Sequence, residues 1–306
     1  MGQINKPLRT DTPEEKTSPN EKPNVDTKSP KKTKGADTIK VTMDADDWMF
    51  FQNSALSSVP TEDDGYTIKE KYWKYINDNN NTWSNDELKQ YFNTYHGGHV
   101  FRNHDQDPRL SYGIIVGVVL RKVNQGEDFR YVVEPLMAIN KSHSPDKKMV
   151  NKIGKDGEFR TSMGCSSIGE KCSMCGNVSV SDNDSCDHIM FQNGKKYVTG
   201  YGGTSRIANI VTGFSSDGKV AEYDKEDYDS YPISFYENSI LTGEDPAYRG
   251  VCNSFKFTFP ASTLVDNKIT IEMPKKAYTR TAWNALKHWQ SKQAIEVTDT
   301  NGNPLS

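Results

Sequence analysis

Gly113-Ile114-Ile115-Val116-Gly117-Val118-Val119-Leu120 is the longest apolar run in the chain. It is rich in β-branched residues and strand-sized, and it falls well short of the ~18 residues that a membrane span needs. Asn124-Gln125-Gly126-Glu127-Asp128 follows as a turn. Phe129-Arg130-Tyr131-Val132-Val133-Glu134-Pro135-Leu136-Met137-Ala138-Ile139 then reads as the returning strand of a hairpin. Antiparallel sheet is therefore the expected centre of the fold.

The flanking sequence adds helices and more strands. Ser144-Pro145-Asp146 opens a helix through about Ile153, with Pro145 compatible with a helix start. After Gly157, Glu158-Phe159-Arg160-Thr161-Ser162-Met163 reads as a strand. Upstream, Thr38-Ile39-Lys40-Val41-Thr42-Met43 alternates as a strand would, and Trp48, Phe50 and Phe51 supply apolar anchors. Residues 67–77 carry apolar groups at helical spacing, and Asp78-Asn79-Asn80-Asn81 breaks that element. Ser84 or Asn85 caps a second helix with Glu87 in its first turn. Downstream, residues 233–242 resume a strand pattern, Phe255-Lys256-Phe257-Thr258-Phe259 alternates like a half-buried strand, and 284–293 reads as a helix.

Bulk composition narrows the class. The chain has 306 residues, 34% hydrophobic content and a formal net charge of −3, so nothing global points to nucleic acid or an anionic membrane surface. Residues 1 to about 38 are rich in Pro, Lys, Thr, Asp and Ser and nearly devoid of large apolar groups. Such a segment cannot bury enough surface to offset its ordering entropy, so it is expected to be a disordered tail. The amino end lacks the basic-then-apolar order of a signal peptide, and Lys6 stands where a myristoylation motif has Ser or Thr. Crowding of cysteines into one short stretch, with no export signal, reads as metal binding in a reducing cytoplasm.

Three distant segments carry chemistry. Asn103-His104-Asp105 precedes Pro108 and the Gly113 strand, Thr161-Ser162-Met163-Gly164-Cys165 ends a strand, and Glu237-Asn238-Ser239-Ile240-Leu241-Thr242 runs on to Asp245-Pro246-Ala247. A serine hydroxyl needs a base to take its proton, and that base gains from a partner fixing its tautomer. Ser162 is the candidate nucleophile, His104 the base and Glu237 the orienting acid. Ser166 and Ser167 compete with Ser162, His96 and His99 with His104, and Glu226, Asp227 and Asp229 with Glu237.

Together these segments resemble the prohead (head maturation) proteases of tailed bacteriophages, which share a fold with the herpesvirus capsid-assembly protease. The resemblance spans roughly residues 95–250. It rests on the histidine before a Pro/Gly turn and strand, the hairpin and helix, the Ser-Met-Gly after a glycine, and the later Glu-x-Ser-Ile-Leu-Thr…Pro-Ala segment. It departs from the family in the long gap between Ser162 and Glu237. The resemblance implies that Ser162 attacks the scissile carbonyl, His104 shuttles the proton and Glu237 holds the imidazole, with backbone N–H groups as the oxyanion hole. It also implies a serine endopeptidase that processes scaffold and capsid proteins, and itself, inside the assembling prohead in the host cytoplasm. Because herpesvirus-type proteases are activated by dimerising, a homodimer is implied as well.

Within that gap, Cys172-Ser173-Met174-Cys175-Gly176 is a C-x-x-C knuckle and Cys186-Asp187-His188 follows. Cys172, Cys175, Cys186 and His188 make a Cys₃His set suited to structural zinc, with Cys165 as an alternative fourth ligand. Asp182, Asp184 and Asp187 surround the cluster and no basic–aromatic stripe accompanies it, which argues against nucleic acid. Cys252 sits apart and is expected to be buried. Gly200-Tyr201-Gly202-Gly203-Thr204-Ser205 lacks the lysine of a phosphate loop and reads as a turn. The expected protein is α+β, with a mostly antiparallel, barrel-like sheet flanked by helices. Residues 39–165 and 231–306 form its protease domain, 166–230 a zinc-knuckle insertion and 1–38 a disordered tail.

Overall fold

The computed structural model describes residues 38–215, 219–224, 228–242, 253–260, 263–274 and 279–305. The amino-terminal segment, Glu226, Asp227, the Asp245-Pro246-Ala247 segment and Cys252 lie outside the described residues.

In chain order the strands begin with β1 (Thr38–Asp44), β2 (Trp48–Asn53), β3 (Leu56–Val59) and β4 (Asn81–Ser84). Next come α1 (Asn85–Tyr91), β5 (His99–Val100), β6 (Gly113–Gln125), β7 (Asp128–Asn140) and α2 (Lys147–Asp156). The middle of the chain supplies β8 (Glu158–Ser167), β9 (Gly169–Cys172), β10 (Val178–Ser179), α3 (Asp187–Gln192), β11 (Lys196–Val198), β12 (Thr204–Arg206) and β13 (Asn209–Thr212). The last elements are β14 (Ile233–Ile240), β15 (Asn253–Phe257), β16 (Lys268–Pro274), α4 (Arg280–Ser291) and β17 (Ile295–Asp299).

The β6–β7 hairpin organises the sheet. Gly126, at φ 70°, sits at the head of a two-residue turn, where a positive φ lets the turn follow the strand twist. From β7 the sheet runs through β2, β15, β8, β14 and β5 back to β6, and β6 pairs β7, so seven strands close into a barrel. Every pairing in that circuit is antiparallel except β14 with β5. Closure removes free edges, which an open sheet would have to protect.

Two of the three apolar cores among the described residues adjoin the barrel strands. Phe51, Ile115, Val133, Met137, Phe235 and Ile240 are fully buried in one cluster, joined by Leu88 and Tyr91 of α1 and by Val150 of α2. A second cluster joins β1, β16 and β17, which form a separate three-stranded sheet, to α4 and to Trp48, Phe50, Ile114 and Ala138 of the barrel. Trp48 meets Trp289 edge-on at 5.1 Å and donates its indole N–H to Ala294 O at 3.1 Å.

Helix ends follow the sequence signals. Ser84 accepts from Glu87 N at 3.2 Å, and Asp146 accepts from Met149 N at 3.0 Å. Gly157, at φ 74°, ends α2 in the left-handed conformation that glycine tolerates best. Residues 67–77 contain only a 3-10 helix, Glu70–Tyr75, with no side-chain cap at its start. The Phe255–Phe259 pattern is a strand as expected, but its aromatic face looks outward: Phe255 is 59% exposed while Ser254 is fully buried.

A branch leaves the barrel through β3, which pairs β7 beside the hairpin. It continues through β4, β13, β9 and β10. This branch carries the cysteine knuckle toward one side of the candidate site.

Candidate active site and metal cluster

Ser162 lies in β8 and Glu237 in β14, and these two strands pair antiparallel. Ser162 is directly opposite Ser239, and Gly164 is directly opposite Glu237. Directly opposed residues share a face, so these four positions line one surface of the pair. A β-bulge between Phe235 and Glu237 sets this register. On the opposite face, Asn53 donates to Thr161 Oγ1 at 2.6 Å and accepts from Asn238 Nδ2 at 3.0 Å.

His104 comes from the loop after β5. It has φ 60° and the preceding Asn103 has φ 48°, both in the left-handed region that non-glycine residues avoid. The loop is held to β14 at several points. Thr242 N donates to Asn103 Oδ1 at 2.8 Å, Asn103 N donates to Ile240 O at 3.0 Å, and His104 N donates to Ser239 Oγ at 3.3 Å. Such over-determined strain is commonly found where a side chain must be aimed.

The aim is visible at the imidazole. His104 Nδ1 lies 2.7 Å from Glu237 Oε1. Glu237 is fully buried, and its other oxygen, Oε2, accepts from Ser239 Oγ at 2.9 Å. Gln106 Nε2 donates to Glu237 Oε1 at 3.4 Å and to Tyr236 OH at 3.2 Å. Gly164 makes this packing possible: a Cβ there would sit 2.6 Å from Glu237 Cγ and 2.9 Å from its Cδ. A buried carboxylate on the Nδ1 side fixes the ring so that Nε2 is the nitrogen turned away from Glu237, the orientation a general base requires.

Ser162 and His104 open on the same cavity, of about 340 Å3. Gln106, Gly164, Tyr236 and Glu237 line it as well, together with Asn77, Asn81, Trp83, Glu170 and Val211. Cys165 also lines it, with burial and then the nearby Glu170 pushing its thiol up to about 12, so it stays a protonated thiol. Burial likewise pushes the Glu170 carboxyl above its ordinary value, with Asp182 adding to the effect.

The competing residues sit elsewhere. Ser166 faces Ser234 beyond the bulge and does not line the cavity, whereas Ser167 touches its rim. His99 is buried in β5, with Nδ1 3.1 Å from Ser111 Oγ and its ring stacked on Phe101. Burial pulls its pKa down to about 4, helped by His288 and opposed by Glu237. His96 is buried too, and burial lowers it. Asp229 accepts Arg280 N at 2.7 Å at the start of α4. Gly164 and Ser239 stand in the sequence motifs without roles of their own, and Gln106 stands in none. A serine two residues after Glu237 on the same strand face was the available signal.

The cysteine cluster forms at the far end of the sheet branch. β9 ends at Cys172, and Gly176, at φ 72°, turns the chain into β10, with Gly176 N donating to Cys172 O at 2.9 Å. Cys186 caps α3 and His188 lies in its first turn. The ligand atoms of Cys172, Cys175, Cys186 and His188 all lie within 4.8 Å of one another, so the four could hold a metal ion. Two features fit one. The Cys175 and Cys186 sulfurs are 3.6 Å apart, close to the ~3.8 Å separation of thiolates at ~2.3 Å around a tetrahedral ion. The buried Nδ1 of His188 has no hydrogen-bond partner among the described residues. Burial raises the Cys172 thiol to about 12. At Cys186 burial also acts upward but is outweighed, chiefly by the Ile189 N–H, so its pKa falls below the ordinary thiol value. Cys165, the alternative fourth ligand, faces the cavity and is not part of the cluster.

In comparisons with known protein families, curated proteins and solved structures, nothing matches this chain.

Proposed function

We propose that this chain is a serine endopeptidase, with Ser162 as nucleophile, His104 as general base and Glu237 as the acid that orients it. The observation that supports this best is the position of Ser239. It faces Ser162 across paired strands and touches both the His104 backbone and the Glu237 carboxylate. The nucleophile strand is thereby registered against the histidine–glutamate pair.

In the reaction, Ser162 Oγ attacks the scissile carbonyl while His104 Nε2 takes its proton. Glu237 keeps the other ring nitrogen protonated and stabilises the imidazolium that forms. His104 then gives the proton to the leaving amine. Water, activated by the same base, releases the acyl group from Ser162.

Following the resemblance of its motifs to the phage prohead proteases, the proposed substrates are prohead scaffold and capsid proteins and the chain itself, cleaved within the assembling shell. At Cys172, Cys175, Cys186 and His188 we propose zinc. Three thiolates and an imidazole suit its tetrahedral preference, and four protein ligands leave no open position, so the ion braces the sheet branch.

Intact-mass analysis of the chain co-expressed with its capsid and scaffold partners tests the activity. Fragments present in wild type and lost in both Ser162→Ala and His104→Ala support the reading. Processing that survives Ser162→Ala overturns the nucleophile, and no processing with all partners present points to a non-catalytic assembly protein.

A further inference from the structure

Three neighbouring strands of the sheet branch contribute to the wall of the cavity that holds Ser162 and His104. Trp83 of β4 is paired with Val211 of β13, and Val211 is paired with Glu170 of β9. Paired residues share a face, so an indole, an isopropyl group and a carboxylate stand in one row, and all three line the cavity. Trp83 and Val211 are buried, and Glu170 is half-buried. The Glu170 carboxylate makes no hydrogen bond or ion pair among the described residues. No Lys or Arg lines the cavity. The adjacent Lys171 extends elsewhere, 4.8 Å over the Phe214 ring. The other carboxylate in the cavity, Glu237, is already taken up by His104, Ser239 and Gln106.

A partly buried, unpaired carboxylate is unfavourable unless a cation or donors reach it. Here it lies at the end of an apolar row, in the same cavity as the candidate nucleophile. A long side chain with an aliphatic stem and a cationic head matches that order of surfaces. The stem packs on Trp83 and Val211 and the head reaches Glu170. We infer that Glu170, Val211 and Trp83 form the substrate-recognition pocket of this site, and that the pocket takes a lysine or arginine side chain flanking the cleaved bond. This inference rests on the endopeptidase reading.

Two measurements on the full chain separate its failure from failure of that reading. The first needs no turnover: n-butylamine and benzamidine are titrated while the Trp83 indole resonance, assigned with Trp83→Phe, is followed by 1H–15N NMR, with benzamide as the neutral control. The expected result is a saturable shift with both cations, none with benzamide, and loss of the shift in Glu170→Gln. No shift, or the same shift in Glu170→Gln, overturns the pocket. The second is digestion of a diverse peptide library, with Ser162→Ala as the blank. Lys or Arg should be enriched at one position beside the cleaved bond. Glu170→Gln should lower kcat/KM for those sites about tenfold or more, the scale of a lost charge-assisted contact, and Glu170→Lys should shift preference toward Asp and Glu. Ser162-dependent cleavage without basic enrichment, or with enrichment unchanged in Glu170→Gln, overturns the pocket and keeps the peptidase. Saturable cation binding without Ser162-dependent cleavage keeps the pocket and overturns the peptidase.

Discussion

At Gly164 the absence of a side chain has a direct consequence for the candidate base. The space a Cβ would occupy is filled by the Glu237 side chain, 2.6 Å from its Cγ. Gly164→Ala must therefore push Glu237 away from His104 or spread β8 from β14. A displacement near 1 Å at a catalytic group commonly costs about 10²-fold, so kcat should fall by at least that much with far-ultraviolet circular dichroism unchanged. Activity within a few-fold of wild type would show that Glu237 does not orient the base. Ser162, His104 and Glu237 were nameable as candidates through the resemblance of their motifs, and the structure sets His104 against Glu237 and places Ser162 in the same cavity. Gly164 and Ser239 could not be assigned roles that way. Their roles depend on which residue of β8 faces which residue of β14, and the bulge before Glu237, invisible in the pattern, sets that register. The backbone at His104 was equally hidden: Asn and His tolerate the left-handed region better than most residues, but it is β14 that holds this loop at a φ of 60°.

Elements carry two further consequences. β9 ends at Cys172 and α3 begins around Cys186 and His188, so an ion held by the four candidate ligands would tie the two together, and β9 also supplies Glu170 to the cavity. Zinc chelation should therefore loosen residues 169–192 in hydrogen exchange while the β6–β7 hairpin keeps its protection. Elemental analysis should find about one zinc per chain, lost in Cys175→Ser with Cys186→Ser. Unchanged exchange on chelation would remove the bracing role.

In β5, His99 is buried neutral. Its folded pKa, about 4, is depressed below the ordinary 6.5. The unfolded chain thus binds more protons between those values, so this contribution to stability is full above about pH 6.5 and is lost as pH falls toward 4. The difference is on the order of 3 kcal/mol. Urea unfolding of wild type and His99→Gln at pH 7 and pH 4.5 checks this: the wild type should lose more stability, and parallel losses would contradict it. Helix starts at Ser84 and Asp146 were legible because caps are local. The helical spacing of 67–77 yields only the short 3-10 helix Glu70–Tyr75, because apolar spacing alone does not supply a cap.

For the whole molecule, the long hairpin announced antiparallel sheet, and the chain does close such a sheet into a barrel. What no local pattern could supply is the closing pairing, in which two-residue β5 lies parallel to β14 and joins it to β6. That short link places the histidine loop over Glu237, bringing together residues 133 positions apart. The outward aromatic face of β15 was also unreadable, since alternation tells which residues share a face and not which face is covered.

The most direct test of the central claim is labelling of the purified chain with a fluorophosphonate, read by intact mass and peptide mapping. The account predicts one adduct, on Ser162, slowed at least 10²-fold in His104→Ala and Glu237→Gln and absent in Ser162→Ala. An adduct on Ser166, labelling indifferent to His104, or no adduct on the folded chain would contradict it.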